Sequence, residues 1–437
     1  MLARVTATQV RALVVETTPV DDLDRLLPLL DPADPLLWMR GGDGIAGIGT
    51  ALRLEFDGPG RMTDAAAVWR SVVAESTVVD PVALPGTGLV AFGAFAFSAS
   101  SPSTSVLTVP EVVVGRRGGA SWVTRVRPIG SDADGESRVA GDASAPLGLR
   151  RPWTAGPLGS VGSEEGRTTL TAGAVSEEAY RAAVRDAIER IAAGSLSKVV
   201  LARDLAGELP RHADLRRPLR ELASAYPDCW TFAVDGLIGA SPETLVRVAD
   251  GRVSARVLAG TTARGVDAAT DRAAAAELVS SDKNQDEHAF ALQSVLASLR
   301  PHAVDLQASA RPFPLELPNL WHLASDISGT LGDASSSLDL LDALHPTAAV
   351  AGSPTAAALD TITELEPFDR GRYAGPVGWV GADGEGEWAV ALRCAQVGPD
   401  GGITAYAGAG IVAGSDPDGE LAETAIKFRP ILDAFSL

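Results

Sequence analysis

The chain has 437 residues, 46% of them hydrophobic, with 37 basic against 56 acidic side chains and a formal net charge of −19. That is enough apolar material for a large buried core, and at roughly 150 residues per domain it allows two or three domains or one large one. So acidic a chain excludes nucleic acid and anionic membrane surfaces as expected partners, and an anionic substrate would need local cations or a metal ion. Cys229 and Cys394 each lie inside an apolar run, the pattern of small buried hydrophobes rather than of a disulfide or zinc site. No signal-peptide core opens the chain and no stretch approaches ~18 uninterrupted apolar residues, so a soluble, cytoplasmic protein is expected.

Residues 1–128 alternate short apolar runs with Gly and Pro punctuation and read as sheet-rich, with little catalytic chemistry. Within them, EVVVGRRGGASWVTRV at 111–126 reads as two strands around an Arg-Gly-Gly turn. From 130 to 169 the composition turns to Gly, Ser, Asp and Pro, which reads as a long, mobile surface excursion. The pattern changes at Ser176: SEEAYRAAVRDAIERIAAG carries a Ser cap, acids in the first turn and a closing Gly194, the signature of an amphipathic helix. SKVVLARDLAG follows as a strand, and further strands are expected at CWTFAVDGLIGASP, LVRVADGRVSARVLAGT, GPVGWV, EWAVALRCAQV and ITAYAGAGIV. One long helix is expected over DAATDRAAAAELVSSDKNQDEHAFALQSVLASL, and shorter ones at SSLDLLDAL and SPTAAALDTITELE. No 20–50-residue period appears, which argues against a solenoid. Strands paired around Gly turns with helices between them predict an α+β fold of mostly antiparallel sheet, with 176–437 as its catalytic part.

The densest chemistry lies in YAGAGIVAGSDPDGELAETAIK, Tyr406 to Lys427. Offsets of three and seven put Glu420, Glu423 and Lys427 on one helical face. Gly408 and Gly410, just ahead, let backbone N–H groups approach an anion without a Cβ in the way. Two hard oxygen ligands beside a cation outline a metal-bridged carboxylate site, although acids in a helix's first turn equally answer its dipole. Lys198 opens an apolar strand, where burial would push its amine toward use as a base and exposure would leave it an ordinary surface lysine. Glu243, in GASPETL, is placed either to donate a proton or to cap a turn. The helix bearing Asp282, Lys283, Asp286, Glu287 and His288 has a charged, solvated face by default and is also the place to find an acidic metal ligand to join Glu423. His322 follows an apolar approach and is either structural or part of a site. Arg393 stands inside an otherwise apolar run and requires an anion partner.

Taken in order, KVVLAR (198–203), GASPETL (239–245), AGTTARG (259–265), EH (287–288), WHL (321–323), LHPTAAVAGSP (344–354), ELEPFDRGRYAGPVGW (364–379), ALRCAQV (391–397) and the 406–427 segment resemble the chorismate-utilising enzymes. Within that family they look most like its isochorismate synthases. The resemblance spans nine blocks over 198–427, with a fainter likeness back to Gly88; it does not cover the first 85 or so residues or the 130–169 excursion. It implies one large domain, residues 1–437, of two packed, mostly antiparallel sheets with surrounding helices. It also implies an isomerase that moves the hydroxyl of chorismate from C4 to C2 by adding water. Lys198 matches the base for that water and Glu243 the acid for the departing hydroxyl. Mg²⁺ would be held by Glu287, Glu420 and Glu423 and would bind the ring carboxylate, which Gly260 and Thr261 also contact. Arg393, Tyr406, Gly408, Gly410 and Lys427 match the clamp on the enolpyruvyl carboxylate, and His322 and Ala349 face the same substrate.

The residues that divide the family carry the expectation further. Amino-transferring members read HPTGTVSG where this chain has HPTAAVAG, so the missing hydroxyl at Ala349 resembles the isochorismate-synthase pattern, as does retention of Lys198. Asn284 and Ser325 depart from the Asp and Thr that the family often carries. A salicylate synthase, eliminating pyruvate from isochorismate, is the alternative within enzymes. A non-catalytic chorismate-binding protein is the alternative outside them, and it would be expected to lack Lys198 or Glu243. The product would feed menaquinone or siderophore biosynthesis. A monomer is expected, since no heptad or long apolar stripe suggests otherwise.

Overall fold

The computed structural model describes residues 12–21, 23–129 and 168–436; most of the 130–169 excursion therefore lies outside the described residues. Among these residues the strands form two large sheets. Every strand pair is antiparallel except Leu13–Val20 with Thr77–Val79. The first sheet runs from Lys198–Glu208 through Gly402–Ile411, Cys394–Val397, Leu237–Ser241 and Trp230–Val234 to Leu36–Arg40 and the remaining N-terminal strands. The second centres on Arg252–Ala263, flanked by Leu320–Leu331 and Thr244–Ala249, and continues through Gly386–Val390 and Pro376–Gly381 to Val90–Ala94. Strands from the two ends of the chain are neighbours in both sheets: Phe232 faces Trp38 in one and Gly378 faces Gly93 in the other.

Strand alternation divides the first sheet's side chains between two cores. Trp38 and Phe232 join a cluster that also draws in Val246, Val248 and Trp388 of the second sheet. Their neighbours Leu37, Met39 and Ala233 point the other way, into a cluster closed by Leu219 and Leu222 of helix Arg216–Ala225 and by Phe428, Ile431 and Phe435 of helix Pro417–Phe435. The C-terminal helix is thereby fixed against strand Gly402–Ile411, so that its charged first turns stand beside the glycines of that strand.

Several local expectations hold in detail. Strands Val112–Arg117 and Ala120–Pro128 close around Gly118–Gly119. Helix Glu177–Ala192 begins where the Ser176 side chain accepts the Ala179 N–H at 3.1 Å, satisfying one of the orphan donors of the first turn. Two expectations need correction. The single helix read over 267–299 is two, Ala268–Ser280 and Asp282–Leu299, because Ser281 takes an extended ψ of 116° and caps the second helix by accepting the Asn284 N–H. The strand read through EWAVALRCAQV is also two, Gly386–Val390 and Cys394–Val397, and they belong to different sheets.

Candidate active site

The chain crosses between the sheets at two points that lie side by side. Pro242–Glu243 links Leu237–Ser241 of the first sheet to Thr244–Ala249 of the second, and Ala391–Arg393 carries the chain back. Ser241 Oγ donates to the Val390 carbonyl at 2.6 Å, the Val390 N–H to the Glu243 carbonyl at 3.2 Å, and the Ala240 N–H to the Arg393 carbonyl at 3.1 Å. An acid and a buried arginine are thus fixed at the rim of one pocket. All of the residues singled out in the sequence line it except Lys198, Glu420 and Glu423.

Glu243 is 4% exposed, and burial pushes its carboxyl up to about 8 against the pull of Lys198, Lys427 and Arg393. It therefore carries its proton at neutral pH and can act as a donor. Lys198 is fully buried at the head of its strand, which rules out the surface-lysine reading. Its Nζ stands 3.1 Å from Glu287 Oε1, off the hydrogen-bonding direction, so the contact is an ion pair without a directed bond. Burial alone would raise the Glu287 carboxyl; Lys198, with Lys427 and Lys283 behind it, holds it below the ordinary value instead. Room for this pair is made by Gly410, where a Cβ would come within 2.5 Å of Glu287 Oε1 and 2.9 Å of Lys198 Cε.

Arg393 has a backbone φ of 49° at the crossing and is 6% exposed. Its Nη2 donates to His322 Nε2 at 3.0 Å, and among the described residues no carboxylate pairs with it. Burial, reinforced by Arg393 and Lys427, holds His322 far below the usual imidazole range. With Nε2 accepting, the neutral ring carries its proton on Nδ1, which faces Thr261 Oγ1 at 3.0 Å and the Gly260 carbonyl at 3.4 Å. Gly260 has φ +82° where the pairing of Arg252–Ala263 with Leu320–Leu331 slips between Leu258 and Thr261. His288 stabilises that irregularity: its Nδ1 meets the Ala259 carbonyl at 3.2 Å and its Nε2 meets Ser325 Oγ at 2.8 Å. Ser325 thus acts through a hydroxyl, and Asn284 packs against Gly260, which places both departures from the family pattern around this turn. Tyr406 stacks on Tyr373 with centroids 5.2 Å apart, and Lys427 donates to the Gly408 carbonyl at 2.9 Å.

Each of the three candidate metal carboxylates is matched to a lysine: Glu287 to Lys198, Glu420 to Lys283 at 3.1 Å and Glu423 to Lys427 at 2.6 Å. Among the described residues no three acidic, His or Cys side chains already converge as a finished metal cage. The donor set nonetheless fits a hard divalent cation. Glu420 is 4% exposed, and burial together with the charge of Glu423 raises its carboxyl; a cation between such oxygens relieves that repulsion.

The sequence reading assigned no role to a second buried pair. Arg370 Nη2 meets Glu366 Oε1 at 2.6 Å, with both side chains 3% exposed. Arg370 also donates to the carbonyls of Val350 (3.0 Å) and Val200 (2.7 Å), while Glu366 accepts the Ala202 N–H at 2.7 Å. The pair takes the place of a neighbouring strand beside Lys198 and ties that strand to the loop bearing Ala349. Its signal was the acid–arginine spacing in ELEPFDR, which is also the spacing of an ordinary helix-end ion pair.

Two packed sheets enclosing a buried acid, a buried lysine and a cationic pocket define an enzyme built for a small anionic substrate. The chain belongs to the chorismate binding enzyme family, whose model matches residues 2–436. It is 42% identical over 272 residues to isochorismate synthase DhbC of Bacillus subtilis, covering 60% of this chain and 68% of that protein. It is 33% identical over 436 residues to the salicylate biosynthesis isochorismate synthase of Pseudomonas aeruginosa, covering 96% and 89%. The solved structure of MenF, the menaquinone-specific isochorismate synthase of Escherichia coli, superposes with a TM-score of 0.74 at 25% identity, covering 98% of this chain and 95% of that one.

Proposed function

We propose that the chain converts chorismate to isochorismate, with water added at C2 and the C4 hydroxyl expelled. The observation that carries this reading is a buried acid–base pair: Glu243, protonated through burial and lining the pocket, and Lys198, wholly withdrawn from solvent beside the lining residue Glu287. Lys198, acting as the neutral amine rather than as the ammonium partner of Glu287, accepts a proton from the attacking water as its oxygen bonds to C2. Allylic displacement then releases the C4 oxygen, which takes the proton of Glu243 and leaves as water. Each proton transfer contributes on the order of 10²–10⁴-fold. Arg393 and Lys427 clamp the enolpyruvyl carboxylate, with Tyr406 and the amides of Gly408 and Gly410 alongside, while Gly260 and Thr261 hold the ring carboxylate. Glu287, Glu420 and Glu423 would hold Mg²⁺, which when bound supplies the positive charge that an acidic protein needs to accept a dianion.

The relatives include both a menaquinone-specific and a salicylate-biosynthesis isochorismate synthase, which supports either menaquinone or siderophore biosynthesis as the destination of the product. The loop bearing Ala349 presents a methyl rather than a hydroxyl to the pocket, which supports stopping at isochorismate. The test is incubation of purified protein with chorismate and Mg²⁺, with and without EDTA, followed by chromatography. Isochorismate alone, abolished by EDTA and by Lys198→Ala, is expected. Salicylate with pyruvate would move the chain to the lyase reading, and no conversion would leave a binding protein.

A further inference from the structure

Lys283 is the lysine of this site that the proposed reaction leaves without a task. It stands in the first turn of helix Asp282–Leu299, and its Nζ crosses to Glu420 Oε1 of the C-terminal helix at 3.1 Å. Its counterparts are interior: Lys198 is 0% exposed, and Lys427, at 15%, is also bonded to the Gly408 carbonyl. Lys283 is 40% exposed while the Glu420 side chain it covers is 5% exposed. A four-carbon stem with water at hand can exchange its partner for solvent at small cost, which neither of the other two lysines can do.

We propose that Lys283 is a tethered counter-ion, holding Glu420 in place of the divalent ion and giving it up when metal and substrate enter together. The inference rests on the isochorismate-synthase reading and its Mg²⁺ site. An ammonium and a divalent cation cannot share the same carboxylate oxygens without repulsion, so the tethered group lowers metal affinity in the substrate-free protein. Removing it leaves Glu420 and Glu423 facing each other without a cation at Glu420, which favours the divalent ion. Affinity for Mg²⁺ and for the dianionic substrate are then coupled, each raising the other.

The experiment is a calorimetric titration of Mg²⁺ alone into the full chain and into Lys283→Met, Lys283→Arg and Lys283→Met/Glu420→Gln. Lys283→Met is expected to bind Mg²⁺ on the order of 10-fold more tightly than the parent. Lys283→Arg should stay near the parent, and the double variant should lose the gain. In thermal melts Mg²⁺ should raise the midpoint of Lys283→Met by more than that of the parent. A purely structural clamp between the two helices predicts instead a lower midpoint for Lys283→Met with unchanged or weaker Mg²⁺ binding, and that result overturns the proposal. Metal-dependent isochorismate formation by the parent, alongside unchanged affinity in Lys283→Met, removes this inference and leaves the function standing. Isochorismate formed undiminished in EDTA, with no Mg²⁺ binding by any variant, removes the metal site and this inference with it.

Discussion

Arg393 and His322 face each other across the joint between the two sheets, the arginine donating at 3.0 Å to an imidazole that is held neutral. A neutral acceptor orients the guanidinium without cancelling its charge, which stays available to a substrate carboxylate. His322→Ala should therefore raise KM for chorismate by roughly 10-fold, the cost of one unmet buried hydrogen bond, with a smaller change in kcat. Steady-state kinetics over a range of chorismate concentrations check the split.

The same histidine makes stability depend on pH. Burial depresses His288 and His322, and takes His345 down to about 3, whereas an unfolded chain titrates its histidines near 6.5. Above that value neither state binds the protons; below it the unfolded state does and the folded state does not. The histidines' contribution is therefore complete above pH ~6.5 and falls as the solution is acidified, by up to about 4 kcal/mol per pH unit once all three titrate, while the Glu243 carboxyl acts in the opposite sense below about 8. Urea unfolding at pH 7.5 and 5.5 in a Glu243→Gln background isolates the histidine loss, and adding His322→Gln should remove about a third of this slope.

Glu243→Gln should nearly abolish turnover, a loss of roughly 10²–10⁴-fold, yet make the protein more stable. The folded carboxyl titrates at about 8, far above its unfolded value, so its contribution is full at low pH and is lost as pH rises toward 8. At pH 7 the penalty relative to a neutral isostere is on the order of 3 kcal/mol. A melting temperature above the parent at pH 7.5, with no product formed, is the expected pair of results. In the parent, kcat should fall as pH rises through about 8.

Gly410→Ala tests the space shared by Lys198 and Glu287, the proposed base and the proposed metal ligand. The added methyl would press on Glu287 Oε1 and Lys198 Cε, so one of the two must move. Activity should drop about 100-fold, since a small misplacement near the reacting groups has that scale of effect. Circular dichroism should remain that of the parent.

Arg370→Met leaves Glu366 buried without its partner beside the Lys198 strand. Breaking such a pair costs about 3–5 kcal/mol, and replacing both partners by apolar residues should recover much of it. Equilibrium unfolding of Arg370→Met and of Glu366→Leu/Arg370→Met distinguishes the two.

Local signals in the sequence carried far: the Ser176 cap, the Gly118–Gly119 turn and the pattern from Tyr406 to Lys427 each became the element they suggested. The long helix failed at Ser281 because a serine among helix-formers breaks no periodicity, and only its extended backbone makes it a cap. Arg393 was legible as a buried charge seeking an anion. That its fixed partner is a neutral histidine from strand Leu320–Leu331 was not, because the pairing depends on how two sheets meet. Nor could apolar alternation reveal that EWAVALRCAQV changes sheets, since both pieces are buried and read as one continuous run.

The side-by-side crossings at Glu243 and Arg393 would make the proposed substrate grip a strain gauge for both sheets. Both residues ride on backbone shared by the two sheets, so any slip of one sheet against the other would tilt the proposed proton donor and anion clamp together. A cavity cut outside the pocket, such as Trp388→Ala in the core between the sheets, is expected to register in this pocket as weakened chorismate binding at temperatures where the fold is still intact.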